Sequence, residues 1–306
     1  MEFNAVKMKI EGIHIGDEGK LDATSPVIHS DTIFSAICNV WARSYGKEDL
    51  ERMLDNFQNK IPFIVSSAFP YSGEILYFPK PFMLPNIDIP EDKRKEFKKM
   101  TSLPKPLFEK YIGASLKEEE LITALNTTKS DFSKDYYVPK VAIDRRSSST
   151  ELFSFSENRF TSDSGYFFLY QCSSEYLEKF KNIVQILSDE GIGGKKTWGC
   201  GQFKCEFKTI NIDLPQSDCY CILSLYYPDK DEKLNYNCSY NLAERGGWIV
   251  SQTTTKTKRN TVYMLTEGSV FDYKPNGKLV DVSPEGFPHK VYRNGIAFAI
   301  PVVRKC

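Results

Sequence analysis

Apolar and polar positions alternate from the start of the chain. Phe3, Ala5, Lys7 and Lys9 fall on one face, and Val6, Met8 and Ile10 on the other. A period of two is that of a β-strand, so residues 2–11 are predicted to form one. The period then lengthens: Ile33, Phe34, Ile37, Cys38 and Trp41 recur at helical spacing. Ser30 is the expected N-cap of this helix, and Asp31 favours the positive end of its dipole. Ile61–Phe69 and Ile75–Phe78 read as strands around Tyr71-Ser72-Gly73, and Tyr166–Cys172 as another. Tyr176, Leu177, Phe180, Ile183, Val184 and Leu187 return to helical spacing, Gly191 stops that helix, and Gln202–Lys208 alternates again. These are the parts of a ferredoxin-like (RRM-like) domain.

Two segments interrupt them. Residues 85–135 are predicted helical, with Ser115 and Glu118 as a capping box before Leu121, Ile122 and Leu125. The stretch 89–100 is so charged that it reads as a solvated surface helix. Residues 138–160 predict a β-hairpin, with strands Val138–Arg145 and Glu151–Phe155 around Ser147-Ser148-Ser149-Thr150. At Asp213-Leu214-Pro215-Gln216-Ser217-Asp218 the register breaks. Strands are expected after it at Cys219–Tyr226, Gly247–Val250, Thr261–Thr266, Lys278–Val282 and Ile296–Val303, with no strong long helix between them. The expected class is therefore α+β with two domains, 1–213 and 214–306. The second is strand-rich and a degenerate ferredoxin-like fold.

Between the second helix and its following strand lies the densest chemical signal, Gly191-Ile192-Gly193-Gly194-Lys195-Lys196-Thr197-Trp198-Gly199-Cys200-Gly201. Glycines allow close approach to the backbone, successive amides can cradle an anion, and two lysines add charge, so the run suits phosphate. It is neither of the familiar nucleotide loops. With Gly194-Lys195 as the G-K pair, a P-loop needs glycine where Asp189 stands, and a dinucleotide fingerprint from Gly191 needs one at Lys196. Both motifs also precede a helix, whereas this run follows one, and a helix C-terminus repels anions. A flexible loop with solubilising lysines is the plain alternative.

Helix, G-x-G-G-K-K-x-x-G-x-G, strand resembles the glycine-rich loop of the RAMP superfamily of CRISPR proteins, which bind guide RNA on ferredoxin-like folds. Ile13-His14-Ile15-Gly16 and Ile28-His29-Ser30-Asp31-Thr32-Ile33-Phe34-Ser35-Ala36 sharpen the likeness toward the type III-A (Csm) subunit that caps the 5′ handle of crRNA. Val141-Ala142-Ile143-Asp144-Arg145-Arg146 and His289-Lys290-Val291-Tyr292-Arg293-Asn294-Gly295 also resemble that family. The resemblance implies that the 138–160 hairpin is a thumb pressed against the handle, with Arg145 and Arg146 on its phosphates. The alternative is that these arginines pair with Asp144 or Glu151 on a solvated hairpin. The expected RNA-binding set is Gly191, Gly193, Gly194, Lys195, Lys196, Thr197, Trp198, Gly199 and Gly201, with His14, His29, Ser30, Arg145 and Arg146. Lys256, Lys258 and Arg259, in the basic run from Thr253, extend the groove or simply line an exposed hairpin loop.

Composition adds bounds. At 306 residues and 41% hydrophobic content there is room for two cores. No apolar run reaches membrane-spanning length, and Met1-Glu2-Phe3-Asn4 opens nothing like a signal peptide. Forty basic residues balance forty acidic ones. That neutrality argues against a free-standing RNA-binding protein and allows a subunit with one local basic groove. Cys38, Cys172, Cys200, Cys205, Cys219, Cys221, Cys238 and Cys306 make no paired C-x-x-C framework, so no zinc or other cofactor is expected. They read as small hydrophobes in a reducing cytoplasm.

A rival class is a metal-independent RAMP endoribonuclease, since the superfamily includes enzymes that use histidine, and His14, His29 and His289 are present. No motif places an acid–base partner beside them. Related backbone subunits carry a cleaving aspartate in the equivalent loop, but the run that accompanies it is replaced here by His29-Ser30-Asp31-Thr32-Ile33. A scaffold without RNA is a third class. The expectation is a non-catalytic crRNA-binding and assembly subunit. By resemblance it docks on the large polymerase-like Csm subunit and on the adjacent backbone RAMP subunit.

Overall fold

Strand β1 (Glu2–Ile10) is buried on both faces, in two different cores: Phe3 and Ala5 on one side, Val6, Met8 and Ile10 on the other. The computed structural model describes residues 1–17, 20–127, 132–249 and 257–304. After β1 come short strands β2 (Gly12–Ile13), β3 (Gly16–Asp17) and β4 (Lys20–Thr24), then helices α1 (Ser30–Tyr45) and α2 (Lys47–Asn56). Strands β5 (Phe63–Val65), β6 (Phe69–Ser72) and β7 (Ile75–Pro79) follow, then α3 (Arg94–Lys99), β8 (Ser102–Pro104), α4 (Lys105–Ile112) and α5 (Glu118–Thr127). A long hairpin of β9 (Ser133–Ile143) and β10 (Thr150–Phe160) leads to β11 (Ser164–Cys172), α6 (Leu177–Glu190) and β12 (Phe203–Asn211).

The main sheet runs β12-β1-β11-β6-β7-β8, with β5 also on β11, and its pairs are antiparallel. Helices α1 and α6 cover one face. Ile33, Phe34, Ile37 and Trp41 of α1 and Phe180, Ile183, Val184 and Leu187 of α6 pack on Val6, Met8, Phe168 and Tyr170. Each such side chain contributes about 1.5–3 kcal/mol when fully buried. On the other face, Leu107, Phe108, Tyr111 and Ile112 of α4 and Leu121 of α5 meet Phe3, Ala5, Phe167 and Leu169. The segment after Asp213 enters this same core through Cys221, Leu223, Val270, Phe298, Ile300 and Val302.

Several expectations change. Ser30 is the first residue of α1 rather than its cap; His29 holds the N-cap position with extended backbone and makes no side-chain cap bond. The 85–135 insertion is not purely helical, because β8 extends the sheet and residues from Ser133 onward belong to the hairpin. Within 89–100 only Arg94–Lys99 is helical, and it buries Phe97. In α5 it is Glu120 whose carboxylate reaches back, accepting the N–H of Lys117 at 3.2 Å.

Beyond Asp213 the strands are β13 (Tyr220–Ile222), β14 (Leu242–Arg245), β15 (Val262–Leu265), β16 (Val270–Phe271), β17 (Leu279–Asp281), β18 (Tyr292–Asn294) and β19 (Ala299–Pro301). They form the small sheets β16-β13-β19, β14-β15 and β17-β18, with no helix among the described residues of 214–304. The strand expected at Gly247–Val250 is reduced to a bridge between Trp248 and Lys258, and Val250 lies outside the described residues. No helix among the described residues is long and apolar enough to cross a membrane.

Candidate nucleic-acid interface

The glycine-rich run leaves α6 at Gly191, whose N–H still donates to the Leu187 carbonyl at 2.8 Å. It then folds onto the segment after β1. The Gly194 N–H donates to the His14 carbonyl and the Gly201 N–H to the Gly12 carbonyl, both at 2.8 Å, while Ile192 donates to the Gly201 carbonyl at 2.9 Å. These contacts explain the glycines differently from the sequence. Gly201 has φ +87°, and a Cβ there would lie 2.0 Å from the Ile192 carbonyl oxygen. At Gly193, with φ +90°, a Cβ would meet the His14 carbonyl oxygen at 2.7 Å. Backbone of this chain, not a ligand, occupies the space beside them, and Gly191 and Gly201 are buried.

The outward part of the loop is the short helical turn Lys196–Trp198. Lys195 before it is left-handed (φ 56°, ψ 28°). Lys196, Thr197, Trp198 and Gly199 are exposed, and Lys196 lies beside the Arg43–Glu190 ion pair. The N–H groups of Lys195, Lys196 and Thr197 have no protein acceptor among the described hydrogen bonds, which leaves three donors beside the two lysines to meet an anion.

The hairpin completes the site. Its register is unbroken from Ser133↔Phe160 to Ile143↔Thr150, longer at the base than the predicted 138–160. Gly12 and Ile13 pair with Arg159 and Asn158 of β10, so residues 12–14 lie between hairpin and glycine loop. His14 joins the two: it is 5% exposed, its Nδ1–H donates to the Ser156 carbonyl at 2.7 Å, and its own carbonyl holds Gly194. Trp198 packs against Phe155, edge to face at 4.9 Å between ring centres, and against Phe153 at 6.0 Å. The ammonium of Lys195 lies 4.4 Å from the Trp198 ring centre and that of Lys140 lies 5.7 Å from it. Lysines over a half-exposed tryptophan offer a phosphate its counter-charge and a base its stacking surface.

Other predicted residues fall elsewhere. Arg145 and Arg146 are exposed at the hairpin tip, and the Asp144 carboxylate instead accepts the backbone N–H of Arg146 at 2.7 Å. Neither guanidinium has an ion pair among the described residues, so the alternative of pairing with Asp144 or Glu151 is not realised. Ser30 cannot touch RNA: it is fully buried, its hydroxyl accepts the Leu225 N–H at 3.0 Å, and its N–H donates to Ser67 Oγ at 2.8 Å. His29 is half-buried, with Nδ1 bonded to the Glu267 carboxylate at 2.8 Å, which also accepts from Ser67. Lys258 is exposed, 5.3 Å over the Trp248 ring, and Arg259 donates to the Trp248 carbonyl at 2.7 Å. Lys256 and Thr253–Thr255 lie outside the described residues. His289 is half-buried in the C-terminal half, its ring against Phe287.

Asp31 is more than a helix-start residue. It is fully buried in the first turn of α1, where it accepts from Arg245 Nε at 3.0 Å and Nη2 at 2.9 Å, and from Arg293 Nη1. Burial alone would raise its pKa, but the charges of Arg293 and Arg245 outweigh this and hold the carboxyl well below the carboxylate range. Sequence reasoning missed Lys140, Phe153 and Phe155 as parts of the candidate interface, although their alternation on the hairpin was a usable signal. Among the described residues, no three His, Cys, Asp or Glu side chains converge as a metal site.

Comparisons with known proteins agree at both ends of the chain. Residues 10–204 match the family model of the RAMP superfamily, and residues 215–302 match that of the CRISPR Csm4 C-terminal domain. The CRISPR Csm4 protein of Thermococcus onnurineus is 31% identical over 278 residues, covering 89% of this chain and 91% of the relative. That of Streptococcus thermophilus is 28% identical, covering 99% of this chain and all (100%) of the relative. In fold, the chain is similar to a chain of the Csm3–Csm4 subcomplex of a type III-A CRISPR-Cas interference complex (TM-score 0.66, 22% identity, covering 99% of this chain and 100% of that one). It is equally similar to a chain of a Csm1–Csm4 cassette solved with pppApA (TM-score 0.66, 23% identity, covering 100% and 99%). The chain belongs to the RAMP superfamily and, within it, to the Csm4 family of CRISPR proteins.

Proposed function

We propose that this chain is a non-catalytic, crRNA-binding subunit of a type III-A CRISPR interference complex, working in the cytoplasm. It holds the repeat-derived 5′ handle and bridges the large polymerase-like subunit to the adjacent backbone RAMP subunit. The observation that carries this is the composite of Lys195 and Trp198 with Lys140 and Phe153, built from two elements that His14 ties together. Phosphate contacts from the lysines and turn amides fix register, and an aromatic surface suits splayed bases of a single strand. Likeness to chains solved with Csm1 and with Csm3 supports the bridging role. The division near residue 213 is part of the same reading, with the first unit ferredoxin-like by its β-α-β-β-α-β order and the second a degenerate copy. The family match that starts at residue 215 supports the boundary.

The nuclease alternative loses ground because His14 is buried and bonded to a main-chain carbonyl, and His29 is held by Glu267. Changing Lys195 and Lys196 together to alanine tests the site. It should weaken crRNA retention and lower the log–log salt slope by about one to two. Unaltered RNA content and slope would remove the loop from the interface.

A further inference from the structure

Three guanidinium groups converge on one buried carboxylate where α1 meets the C-terminal half. Arg245 and Arg293 bind Asp31 directly, and Arg293 also donates to the Gly246 carbonyl. Arg259 lies close enough to feel all three charges and, among the described residues, donates to a main-chain carbonyl, that of Trp248. The other carboxylate within reach, Glu267, is engaged by His29 and Ser67. Positive charge is therefore in surplus in a place where water screens it poorly.

The hydrogen bonding of the cluster is also incomplete among the described residues. The Nε–H groups of Arg259 and Arg293 are buried without a hydrogen-bond partner among the described residues, and Arg293 is only 5% exposed. Burial first, then the charge of Arg293, brings the Arg259 pKa down to about 10, against the opposing pull of Asp31. Buried charge left uncompensated is unfavourable, and planar N–H forks match the oxygens of phosphate. Asp31 lies in the first turn of α1, so the helix dipole adds to the positive field.

We propose that Arg245, Arg259 and Arg293 form a binding site for a single phosphate group beside Asp31. Beside Arg259, Trp248 is 53% exposed with the Lys258 ammonium over its ring, which suits a phosphate that carries a nucleoside. The group belongs either to an RNA chain, which rests on the function proposed above, or to a free phosphate compound.

Thermal unfolding of the full chain in inorganic phosphate and in chloride at matched ionic strength tests the site. Phosphate should raise Tm by a few degrees in the wild type and in Lys195→Ala, partly in Arg259→Lys, and not in Arg259→Gln. Arg259 is outside the direct Asp31 pairs, so its variants keep those ion pairs. Titrating a 5′-handle RNA against salt separates the sources: Arg259→Gln should lower the log–log slope by about one if the phosphate is RNA's. An unchanged slope with the phosphate response intact assigns the site to a free phosphate compound. Absence of RNA binding by the wild type, with that response intact, would overturn the function above and leave this site standing. No phosphate response in the wild type, or an equal one in Arg259→Gln, would overturn the proposal.

Discussion

The carbonyl of His14 accepts the Gly194 N–H at 2.8 Å and, with the bond from Gly201 to Gly12, fixes the glycine-rich loop to the strand that pairs with the hairpin. The His14 ring also bonds the Ser156 carbonyl, so one residue joins loop and hairpin. Two elements separated in the chain by β11 and α6 thus present Lys195, Trp198 and Lys140 together. A groove built this way needs no overall basic charge, which fits a chain whose formal net charge is zero.

The glycines should differ sharply in tolerance. Gly201→Ala puts a Cβ 2.0 Å from the Ile192 carbonyl oxygen, whereas at Gly199, also at positive φ, nothing lies within 4 Å of one. Gly199→Ala should therefore cost about 1–2 kcal/mol from the left-handed backbone alone. Gly201→Ala should cost more and release RNA as well. Denaturant midpoints with RNA content read both, and equal costs would show that the loop accommodates a side chain at either position.

His14→Ala should leave target cleavage by an assembled complex at the wild-type rate, once corrected for RNA occupancy. General acid–base help is worth about 10²–10⁴-fold, so its loss would be plain. Stability should fall by about 1–3 kcal/mol because the buried Ser156 carbonyl loses its donor. A hundredfold loss at full occupancy would place chemistry at His14.

Asp31→Asn should destabilise the chain by about 3–5 kcal/mol, since it leaves Arg245 and Arg293 buried without their counter-charge. The folded carboxyl titrates below its unfolded value, so its contribution is complete above about pH 4 and is lost as pH falls below that. The gap between wild type and variant should thus narrow in acid. A gap independent of pH between 7 and 3 would show that the ion pairs do not stabilise the fold.

Much of the sheet was legible because β1 and the two covering helices carry clear periods and β11 is an unbroken apolar run. The short pieces were not. Strand β8 has three residues and follows a charged stretch, so no period could form, and β14, β16 and β18 are equally brief. Ser30 looks like a cap by local rules, yet its hydroxyl is claimed by Leu225, far along the chain. Partners of that kind leave no local trace, which is also why the pairing of Arg245 and Arg293 with Asp31 was not legible. Lys195 and Trp198 were visible in their motif, while Lys140 acquires its place only through the hairpin register.

The most direct measurement is ultraviolet crosslinking of crRNA to this chain within its complex, followed by mapping of the crosslinked peptides. Crosslinks should concentrate on Lys195–Trp198 and on the hairpin strands carrying Lys140 and Phe153, and Lys195→Ala with Lys196→Ala should deplete both sets together. Crosslinks confined to other surfaces, with these two peptides clean in the wild-type complex, would contradict the account.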